Sequence, residues 1–221
     1  MTGCVTVSRC DKERGKYEQT FLLDIPPNAT VLDVLNYIYT ELDSTLAFPR
    51  SCRNGKCGLC TVDVNGKPCL ACNSPATEKM VIAPIKGFPV IKDLVTDRSA
   101  VIAAVNDITF ATADEKRKKS EAERIIMKEN DKDRFIRGSQ CIECMSCMSV
   151  CPVWRKNIGA FAGPMPFVRL SRLAADPRDT ADRRAQAERM GVSLCISCGL
   201  CSKLCPENID PCGLIKIFNE E

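Results

Sequence analysis

Cysteine is the residue type most able to carry out chemistry in this chain, because 16 of the 221 residues are cysteine. Most of them fall into three groups, within residues 52–72, 141–151 and 195–212. In a reducing compartment, clustered cysteines are more often metal ligands than disulfide bridges. The sequence shows no secretory signal at its start and no run of about eighteen apolar residues, so we expect a cytoplasmic protein without a membrane span.

The first cysteine group has the spacing of a plant-type [2Fe–2S] site, C-x4-C-x2-C followed by a more distant cysteine. In such a site three thiolates converge from one tight loop, and Gly55 and Gly58 allow the loop to turn its N–H groups toward the cluster sulfurs. Arg50 and Arg53 are expected to help modestly in stabilising the reduced state. Cys69 competes for the fourth position with the last cysteine of the group, which the spacing favours. The predicted ligands are Cys52, Cys57, Cys60 and Cys72.

The second and third groups are two copies of the pattern C-x2-C-x2-C-x3-C-P. In this bacterial ferredoxin pattern the first three cysteines of a run hold one cubane cluster, and the fourth cysteine ligates the other. Pro152 and Pro206 then redirect the backbone. We predict a [4Fe–4S] cluster A on Cys141, Cys144, Cys147 and Cys205. We predict a second cubane, cluster B, on Cys151, Cys195, Cys198 and Cys201.

Several other chemistries are excluded or disfavoured by composition. Zinc is the alternative at all three cysteine groups. The first group does not have a zinc-ribbon spacing, and Cys₄ zinc sites would leave the C-x2-C-x2-C-x3-C spacing of the other two groups unexplained. The chain contains no histidine, which excludes Rieske ligation, C-x-x-C-H haem attachment and histidine acid–base catalysis. It also has no G-x-G-x-x-G fingerprint, so we expect neither catalytic residues nor a substrate site here. The near balance of 31 basic and 28 acidic residues argues against nucleic acid as a partner.

Three cysteines stand outside these motifs, and they are Cys4, Cys10 and Cys212. We interpret them as small buried hydrophobic residues, with Cys212 kept as a reserve ligand because it follows Pro211 close to the predicted ligand loop of cluster B.

The elements that position the first group are predicted to be strands around one helix. Apolar residues at helical spacing predict a helix from Val31 to Leu42, capped by Asn28 or Thr30. The Asn65-Gly66 pair predicts a type I′ turn between two strands. The predicted strands are Cys4–Arg9, Glu18–Ile25, Thr61–Val64, Pro68–Cys72 and Val81–Pro84.

The elements around the other two groups are predicted to be helical, over Phe167–Ala175 and Ala181–Met190, with a break at Asp176-Pro177. The charged stretch Asp114–Arg137 mixes both signs at helical spacing, which favours a solvated helix over a docking segment. We place the domain boundary in or just before this stretch.

Beyond the cysteines, the whole chain resembles the iron–sulfur subunit of the succinate dehydrogenase/fumarate reductase family. The resemblance lies in Pro49–Arg53, Cys57–Cys60, Val64–Gly66, Leu70–Cys72, the G-x-P-V-I-x-D-L-V segment Gly87–Val95, Cys151-Pro152, Gly163-Pro164 and Cys205–Pro211. It implies an α+β chain, with a β-grasp [2Fe–2S] ferredoxin domain over residues 1–105. An α-helical ferredoxin domain with two cubane clusters would occupy residues 106–221.

The resemblance implies a non-catalytic electron-transfer subunit of an oxidoreductase used in anaerobic respiration. A partner catalytic subunit would bind FAD, interconvert succinate and fumarate or a similar acid, and face the β-grasp domain. The helical domain would face a membrane anchor with a quinone, or a soluble electron-donor subunit. Attachment to the inner face of the cell membrane through that partner would be compatible with a cytoplasmic chain.

Two positions depart from the familiar respiratory members of this family. At the position of Cys198 those members lack cysteine and carry a [3Fe–4S] cluster, so Cys198 predicts [4Fe–4S] here, with [3Fe–4S] as the alternative. A four-thiolate cubane usually works at lower potential, which favours a low-potential quinone, a thiol or another reduced carrier. The histidine that those members place near the quinone is Ile196 here. Trp154 could serve a quinone pocket or pack beside the cluster, and both interpretations stay open.

Three other functions are weighed against this one. The same wiring could serve a flavoprotein acting on a different acid or enoyl substrate. The chain could be a free-standing ferredoxin-like carrier, which would purify without a flavoprotein. A zinc-stabilised interaction module would contain no iron or sulfide.

Overall fold

The computed structural model describes residues 2–111 and 127–219, which form two compact units. The first unit contains the chain up to Arg98 and also the later segment Ile142–Val150. The second unit contains the other described residues. The boundary between the two compact units lies between Arg98 and Ser99, whereas the predicted domain boundary lies after residue 105. The fold is α+β, with a sheet in the first unit and helices in the second.

The first unit is built on a five-stranded sheet in the order β2-β1-β5-β3-β4. Its strands are β1 (Thr2–Asp11), β2 (Gly15–Asp24), β3 (Thr61–Val64), β4 (Lys67–Leu70) and β5 (Lys79–Ala83). Strands β1 and β5 are parallel, and the other neighbours are antiparallel. All five predicted strands are present, although the prediction that β4 continues to residue 72 is wrong.

The predicted turn between β3 and β4 is confirmed, since Asn65 and Gly66 both have positive φ, at 51° and 85°. A type I′ turn requires this conformation at its two central residues, and asparagine and glycine adopt it at low cost. The turn fixes the register of the hairpin, in which Thr61 pairs with Leu70. The cysteine at position 72 therefore lies just beyond the end of the hairpin.

The predicted helix is present as α1 (Val31–Tyr37), and a π-helical turn extends it over Ile38–Leu42. Thr30 is the cap: its Oγ1 accepts from the Asp33 N–H, while the Asp33 carboxylate accepts from the Thr30 N–H. This reciprocal capping box satisfies backbone donors that would otherwise have no partner. The apolar face of α1 is buried in the same hydrophobic core as the inward residues of the sheet.

A short hairpin that the sequence analysis does not predict follows the sheet, with strands β6 (Val90–Lys92) and β7 (Val95–Thr96). Its buried Asp93 accepts from Arg9 Nε at 2.9 Å, from the Cys10 N–H at 3.0 Å and from the Ala47 N–H at 2.8 Å. Arg9 also donates to Asp43 at 2.7 Å. This network ties the hairpin to β1 and to the loop that precedes the first cysteine group.

Replacing Arg9 by alanine is expected to lower the free energy of unfolding by about 3–5 kcal/mol, because Asp93 would remain buried without its cation. Arg14 is the matched control, since it lies near the same Tyr17 ring but is exposed. Its replacement should change the stability by no more than about 0.5 kcal/mol. Urea unfolding of the cluster-loaded variants, followed by far-UV circular dichroism, measures both. Equal losses in the two variants would contradict this role of the Arg9 network.

The same network makes stability depend on acid. The hydroxyl of Thr45 and the guanidinium of Arg9 hold the pKa of Asp43 well below its usual range. Since the pKa is depressed in the folded state, the Asp43 contribution is complete above the ordinary carboxyl pKa of about 4 and is lost as the pH falls below it. The alanine variant of Arg9 should therefore lose less stability on acidification than the unaltered chain.

The helix α4 (Ser146–Val150) belongs to the first unit although it comes late in the sequence. The Lys86 N–H donates to Ser149 Oγ at 2.9 Å, and Ile142 and Cys144 lie in the core of this unit. The segment from Ile142 to Met145 that leads into α4 is thereby fixed in the first unit.

The second unit is helical, as predicted. Its helices are α2 (Ser99–Asn106), α3 (Glu129–Ser139), α5 (Pro152–Lys156), α6 (Pro164–Ala174), α7 (Arg183–Arg189), α8 (Leu200–Lys203) and α9 (Pro211–Lys216). Helix α6 begins before its predicted start because Gly163-Pro164 supplies a proline in the first turn. Helix α7 begins after its predicted start because Asp182 caps it, accepting from the Ala185 N–H at 2.9 Å. Within the described ranges, no helix is long and apolar enough to span a bilayer.

The predicted charged helix is confirmed only over its last part, α3, whose side chains form the ion pairs Arg134–Asp131 and Arg137–Asp133. Nearly all of α3 is exposed or half-buried, which fits the solvated interpretation. Residues 114–126 of the charged stretch lie outside the described part of the chain.

Candidate metal centres

The four predicted ligands of the first cysteine group form two contacting pairs. The Sγ atoms of Cys60 and Cys72 are 3.3 Å apart. The Cys52 thiol accepts from the Asn54 N–H and from the Cys57 thiol, and these bonds lower the pKa of Cys52 to about 7. Backbone donors that stabilise a thiolate in this way favour metal binding, because the ligand is the deprotonated form.

The two cysteines that compete for the fourth position lie in different surroundings. Cys69 is in β4 opposite Val62, and its thiol has a hydrogen bond with Ser74. Burial raises the pKa of the Cys69 thiol. Cys72 lies beyond the strand end and contacts Cys60. Because β4 ends at Leu70, it is Cys72, and not Cys69, that contacts Cys60.

Gly58 is the point at which the first cysteine loop touches the loop that contains Cys144. Its φ is +66°, and a Cβ built there would lie 2.8 Å from Cys144 Cα, 2.9 Å from Cys144 N and even closer to the Ile142 carbonyl. Only glycine provides both this conformation and this space. Two candidate ligand loops of the first unit are therefore in direct backbone contact.

Arg98 is a functional candidate that the sequence analysis does not identify. Its guanidinium donates to the carbonyl groups of Gly58, Leu59 and Thr61, each at 3.4 Å. It therefore contacts the backbone both before and after Cys60. Burial lowers the pKa of Arg98, while its proximity to Cys144 and Cys60 acts in the opposite direction. No spacing rule points to this residue, because it lies far from the cysteines in sequence.

The two arginines that the sequence analysis favours, Arg50 and Arg53, have other neighbours. Arg50 donates to Asn36 Oδ1 at 2.8 Å and lies over the rings of Tyr39 and Phe48. The charge of Arg53 acts on Asp33, at the start of α1. Arg98 is thus better placed than Arg50 or Arg53 to act on the first cysteine group.

The duplicated cysteine runs have the same backbone conformation. Glu143 and Ser197 occupy equivalent positions and have φ of 53° and 52°. Met145 and Gly199 are also equivalent and have φ of 68° and 73°. Positive φ is uncommon for residues other than glycine, and it costs free energy that a functional geometry can justify. Both runs therefore share the left-handed conformation at these two positions, a kind of backbone that occurs in anion-binding concavities of N–H groups.

The predicted ligands of cluster B line one cavity in the second unit, and Cys212 lines it with them. Cys151 and Cys201 are buried, whereas Cys198 is exposed. Burial raises the pKa of Cys201 to about 12, and Cys212 and Cys151 act in the same direction. Burial also raises the pKa of Cys151, against a bond donated by the Trp154 N–H. The cavity thus holds five thiols from three segments.

The predicted ligands of cluster A are divided between the two units. Cys144 and Cys147 are buried in the first unit, and Cys144 contacts Ser146 Oγ at 3.3 Å. Cys141 and Cys205 lie in the second unit, where they pack against a small hydrophobic core of Val168, Ile209 and Leu214. The assignment of these four cysteines to one cluster therefore remains a prediction from the motif.

Within residues 2–111 and 127–219, no three cysteine or acidic side chains converge as ligands of a single metal ion. A [2Fe–2S] cluster needs a different arrangement, with two thiolates on each iron, and a cubane needs one thiolate on each iron. The thiol pairs of the first group and the five-thiol cavity suit those arrangements. Trp154 is 6% exposed, which fits packing beside Cys151 better than an open quinone pocket.

Comparison with known proteins agrees with this arrangement. Residues 4–103 match the family of 2Fe-2S iron-sulfur cluster binding domains, and residues 137–209 match the 4Fe-4S dicluster domain. The fumarate reductase iron-sulfur subunit of Mycobacterium tuberculosis is 35% identical over 207 residues, which cover 90% of this chain and 83% of that protein. The chain belongs to the succinate dehydrogenase/fumarate reductase iron–sulfur subunit family.

A solved member of the family has the same fold. One chain of the Mycobacterium smegmatis Sdh1 complex in the apo form superposes with a TM-score of 0.89 and 28% identity, covering 99% of this chain and 94% of that chain. The predicted fold class is thereby confirmed: a β-sheet [2Fe–2S] ferredoxin domain is followed by a helical ferredoxin domain.

Three of the similar proteins are longer than this chain. One subunit of the fumarate reductase (CoM/CoB) of Methanothermobacter marburgensis is 38% identical over 192 residues, which cover 86% of this chain. This chain spans only about two fifths of the length of the methanogen relatives that it matches, at 40%, 38% and 38%.

Proposed function

We propose that this chain is the electron-transfer subunit of a fumarate reductase or succinate dehydrogenase-like complex. Bound iron–sulfur clusters supply one-electron transfer. The observation that carries the proposal is the backbone contact at Gly58, where the loop of Cys57 and Cys60 meets the loop of Cys144. The loops that would hold the [2Fe–2S] cluster and cluster A are thus in direct backbone contact, with no helix or strand between them. Such close contact suits the transfer of electrons from one cluster to the next.

The residues present fit one [2Fe–2S] cluster and two cubanes. Cys52, Cys57, Cys60 and Cys72 would hold the first, and their two contacting pairs offer two thiolates to each iron. The cavity thiols of Cys151, Cys195, Cys198 and Cys201 would hold cluster B. Cluster A would use Cys141, Cys144, Cys147 and Cys205, as the ferredoxin motif requires. The positive-φ loops would direct N–H groups toward the sulfurs of both cubanes.

The electron partner is proposed to be of low potential. Cys198 gives cluster B a fourth thiolate, which favours [4Fe–4S] over a three-iron cluster and lowers the potential. A membrane anchor with a low-potential quinone, or a soluble reduced carrier, would fit. FAD would be bound by a partner catalytic subunit, and this chain would be cytoplasmic or peripheral at the inner face of the membrane. The chain itself would hold no substrate.

Anaerobic purification of the tagged chain from its native cells tests this proposal. We expect an FAD-containing protein to co-purify in a constant ratio, and the reduced [2Fe–2S] signal to decrease when fumarate is added. Recovery of the chain alone would favour a free-standing carrier instead. If a flavoprotein co-purifies but neither fumarate nor succinate changes any cluster signal, its substrate is a different acid or enoyl compound.

Replacing Arg98 by methionine is expected to lower the midpoint potential of the [2Fe–2S] cluster. The guanidinium is next to the backbone of Cys60, and its positive charge stabilises the reduced, more negative cluster. We expect a decrease on the order of 60 mV, which corresponds to about 1.4 kcal/mol for one electron. An EPR-monitored redox titration measures it.

Two further variants make this test specific. Arg98→Lys keeps the charge and should retain most of the potential. Arg50→Met removes a guanidinium that interacts instead with Asn36 and two aromatic rings, so it should change the potential little. A larger shift in the Arg50 variant than in the Arg98 variant would contradict the role given to Arg98.

A further inference from the structure

Cys212 lies in the second unit where no ferredoxin motif requires a cysteine. Its side chain is 7% exposed and lines the same cavity as the four predicted ligands of cluster B. Four thiolates complete a cubane, so the cavity contains one thiol more than the cluster needs. The fifth thiol is buried, whereas one of the four motif thiols, Cys198, is exposed.

The backbone holds Cys212 firmly beside the third cysteine run. The Cys212 N–H donates at 3.0 Å to Oγ of Ser202, the residue after Cys201. Ser202 Oγ in turn donates to the Asp210 carboxylate, which caps α9 by accepting from the Gly213 N–H at 3.0 Å. These bonds connect α8 to the first turn of α9. Cys212 therefore enters the cavity from a fixed position and not from a loose end of the chain.

The loop around Cys198 is open to solvent by comparison. Ile196 is 65% exposed and Leu200 is 40% exposed, on either side of Cys198. An exposed ligand is the one that solvent and oxidants reach first. Loss of that ligand from a cubane commonly leads to loss of the iron that it holds.

We propose that Cys212 is a substitute ligand that takes over the iron of Cys198 and keeps cluster B in its four-iron form. This inference rests on the proposed assignment of cluster B. The step is a ligand exchange without change of oxidation state. The bond from iron to Cys198 Sγ breaks, the bond from iron to Cys212 Sγ forms, and the Cys212 thiol proton passes to the released Cys198 thiolate.

The test removes the two cysteines separately and together. Cys198→Ala, Cys212→Ala and the double variant are purified anaerobically with the unaltered chain, and Cys198→Ala/Cys10→Ala is the matched double control, since Cys10 lies in β1. Each is treated with stoichiometric ferricyanide, which accepts one electron as a [4Fe–4S]²⁺ centre releases Fe²⁺ and becomes [3Fe–4S]⁺. The three-iron EPR signal is then recorded, and the reduced [2Fe–2S] signal reports correct folding.

We expect the three-iron signal to be strong only in the Cys198→Ala/Cys212→Ala variant. Cys198→Ala and its control with Cys10 should keep a four-iron cluster B. An equally strong three-iron signal in Cys198→Ala alone would overturn the role of Cys212, while leaving the cluster assignment intact. Absence of a second [4Fe–4S] spectrum from the reduced, unaltered chain would overturn this proposal together with the four-iron assignment of cluster B, but it would leave the electron-transfer function in place. Recovery of the chain without a flavoprotein would instead refute the proposed function.

A second measurement covers the case in which Cys198→Ala loses its [2Fe–2S] signal and is therefore misfolded. In that case Cys212→Ala, which keeps all four motif cysteines, is compared with the unaltered chain. Ferricyanide should generate the three-iron signal faster in Cys212→Ala, because no thiol can then retain the iron after Cys198 is released. Equal rates in the two proteins would overturn the proposal.

Discussion

Replacing Cys72 by alanine is expected to abolish the [2Fe–2S] signal, while replacing Cys69 by alanine should leave it in place. The reason is that β4 ends at Leu70. Cys72 lies beyond this end, with its Sγ 3.3 Å from the Sγ of Cys60, whereas the Cys69 thiol is hydrogen-bonded to Ser74. A cluster that loses one of its four thiolates loses most of its binding free energy, since metal binding and folding are coupled at such sites. EPR of the dithionite-reduced variants measures the signal directly.

The two cysteines are a matched pair, because they lie three residues apart and both are half-buried. Removing Cys69 should cost only packing, on the order of 1 kcal/mol, with unchanged EPR line shape. The signals of the two cubane clusters serve as an internal standard for the amount of folded protein. Loss of the [2Fe–2S] spectrum in the Cys69 variant, with retention in the Cys72 variant, would reverse the ligand assignment.

The second large effect is expected at Gly58, where alanine should disturb two clusters at once. The added Cβ would overlap the backbone of Ile142 and Cys144, and backbone atoms cannot move aside as a flexible side chain can. Alanine at φ +66° also adds strain of about 1 kcal/mol. We expect reduced iron content and weaker signals from both the [2Fe–2S] cluster and cluster A.

Gly55 provides the control for this effect. It also has positive φ, at +74°, but a Cβ there would meet nothing closer than Asn73 Cγ at 3.9 Å. Gly55→Ala therefore carries the same conformational strain without the overlap, and it should keep nearly normal signals. Equal damage in the two variants would show that strain alone, and not contact between the two loops, explains the requirement for glycine at position 58.

Much of the fold can be predicted from the sequence because its signals are local. The Asn65-Gly66 turn, the Thr30 cap and the helical spacing after Val31 each depend on neighbouring residues, and each is present. The hairpin β6–β7 escapes prediction because it is short and only partly buried, so it has no clear alternation. The end of β4 is predicted too late because the apolar residues Ala71 and Cys72 follow Leu70, the last residue of β4 that pairs in the hairpin.

In the candidate sites, too, the features that depend on neighbouring residues can be predicted and those that depend on the fold cannot. The spacing of the cysteines predicts the ligand groups, since each run is a local loop. The role of Arg98 cannot be predicted, because its contact with residues 58–61 depends on the fold and not on sequence distance. The positive φ of Glu143 and Met145 also cannot be predicted from the sequence, because neither residue type favours that conformation. Sequence proximity to the third run is the only signal that points to Cys212.

The central claim is that this chain carries one [2Fe–2S] and two [4Fe–4S] clusters, and EPR of the anaerobically purified protein tests it most directly. The oxidised protein should show no three-iron signal, and stepwise reduction should yield one [2Fe–2S] and two [4Fe–4S] spectra, with iron and acid-labile sulfide in equal amounts. A strong three-iron signal that persists after iron is added under reducing conditions would remove Cys198 from the ligand set. Zinc without sulfide would contradict the account altogether.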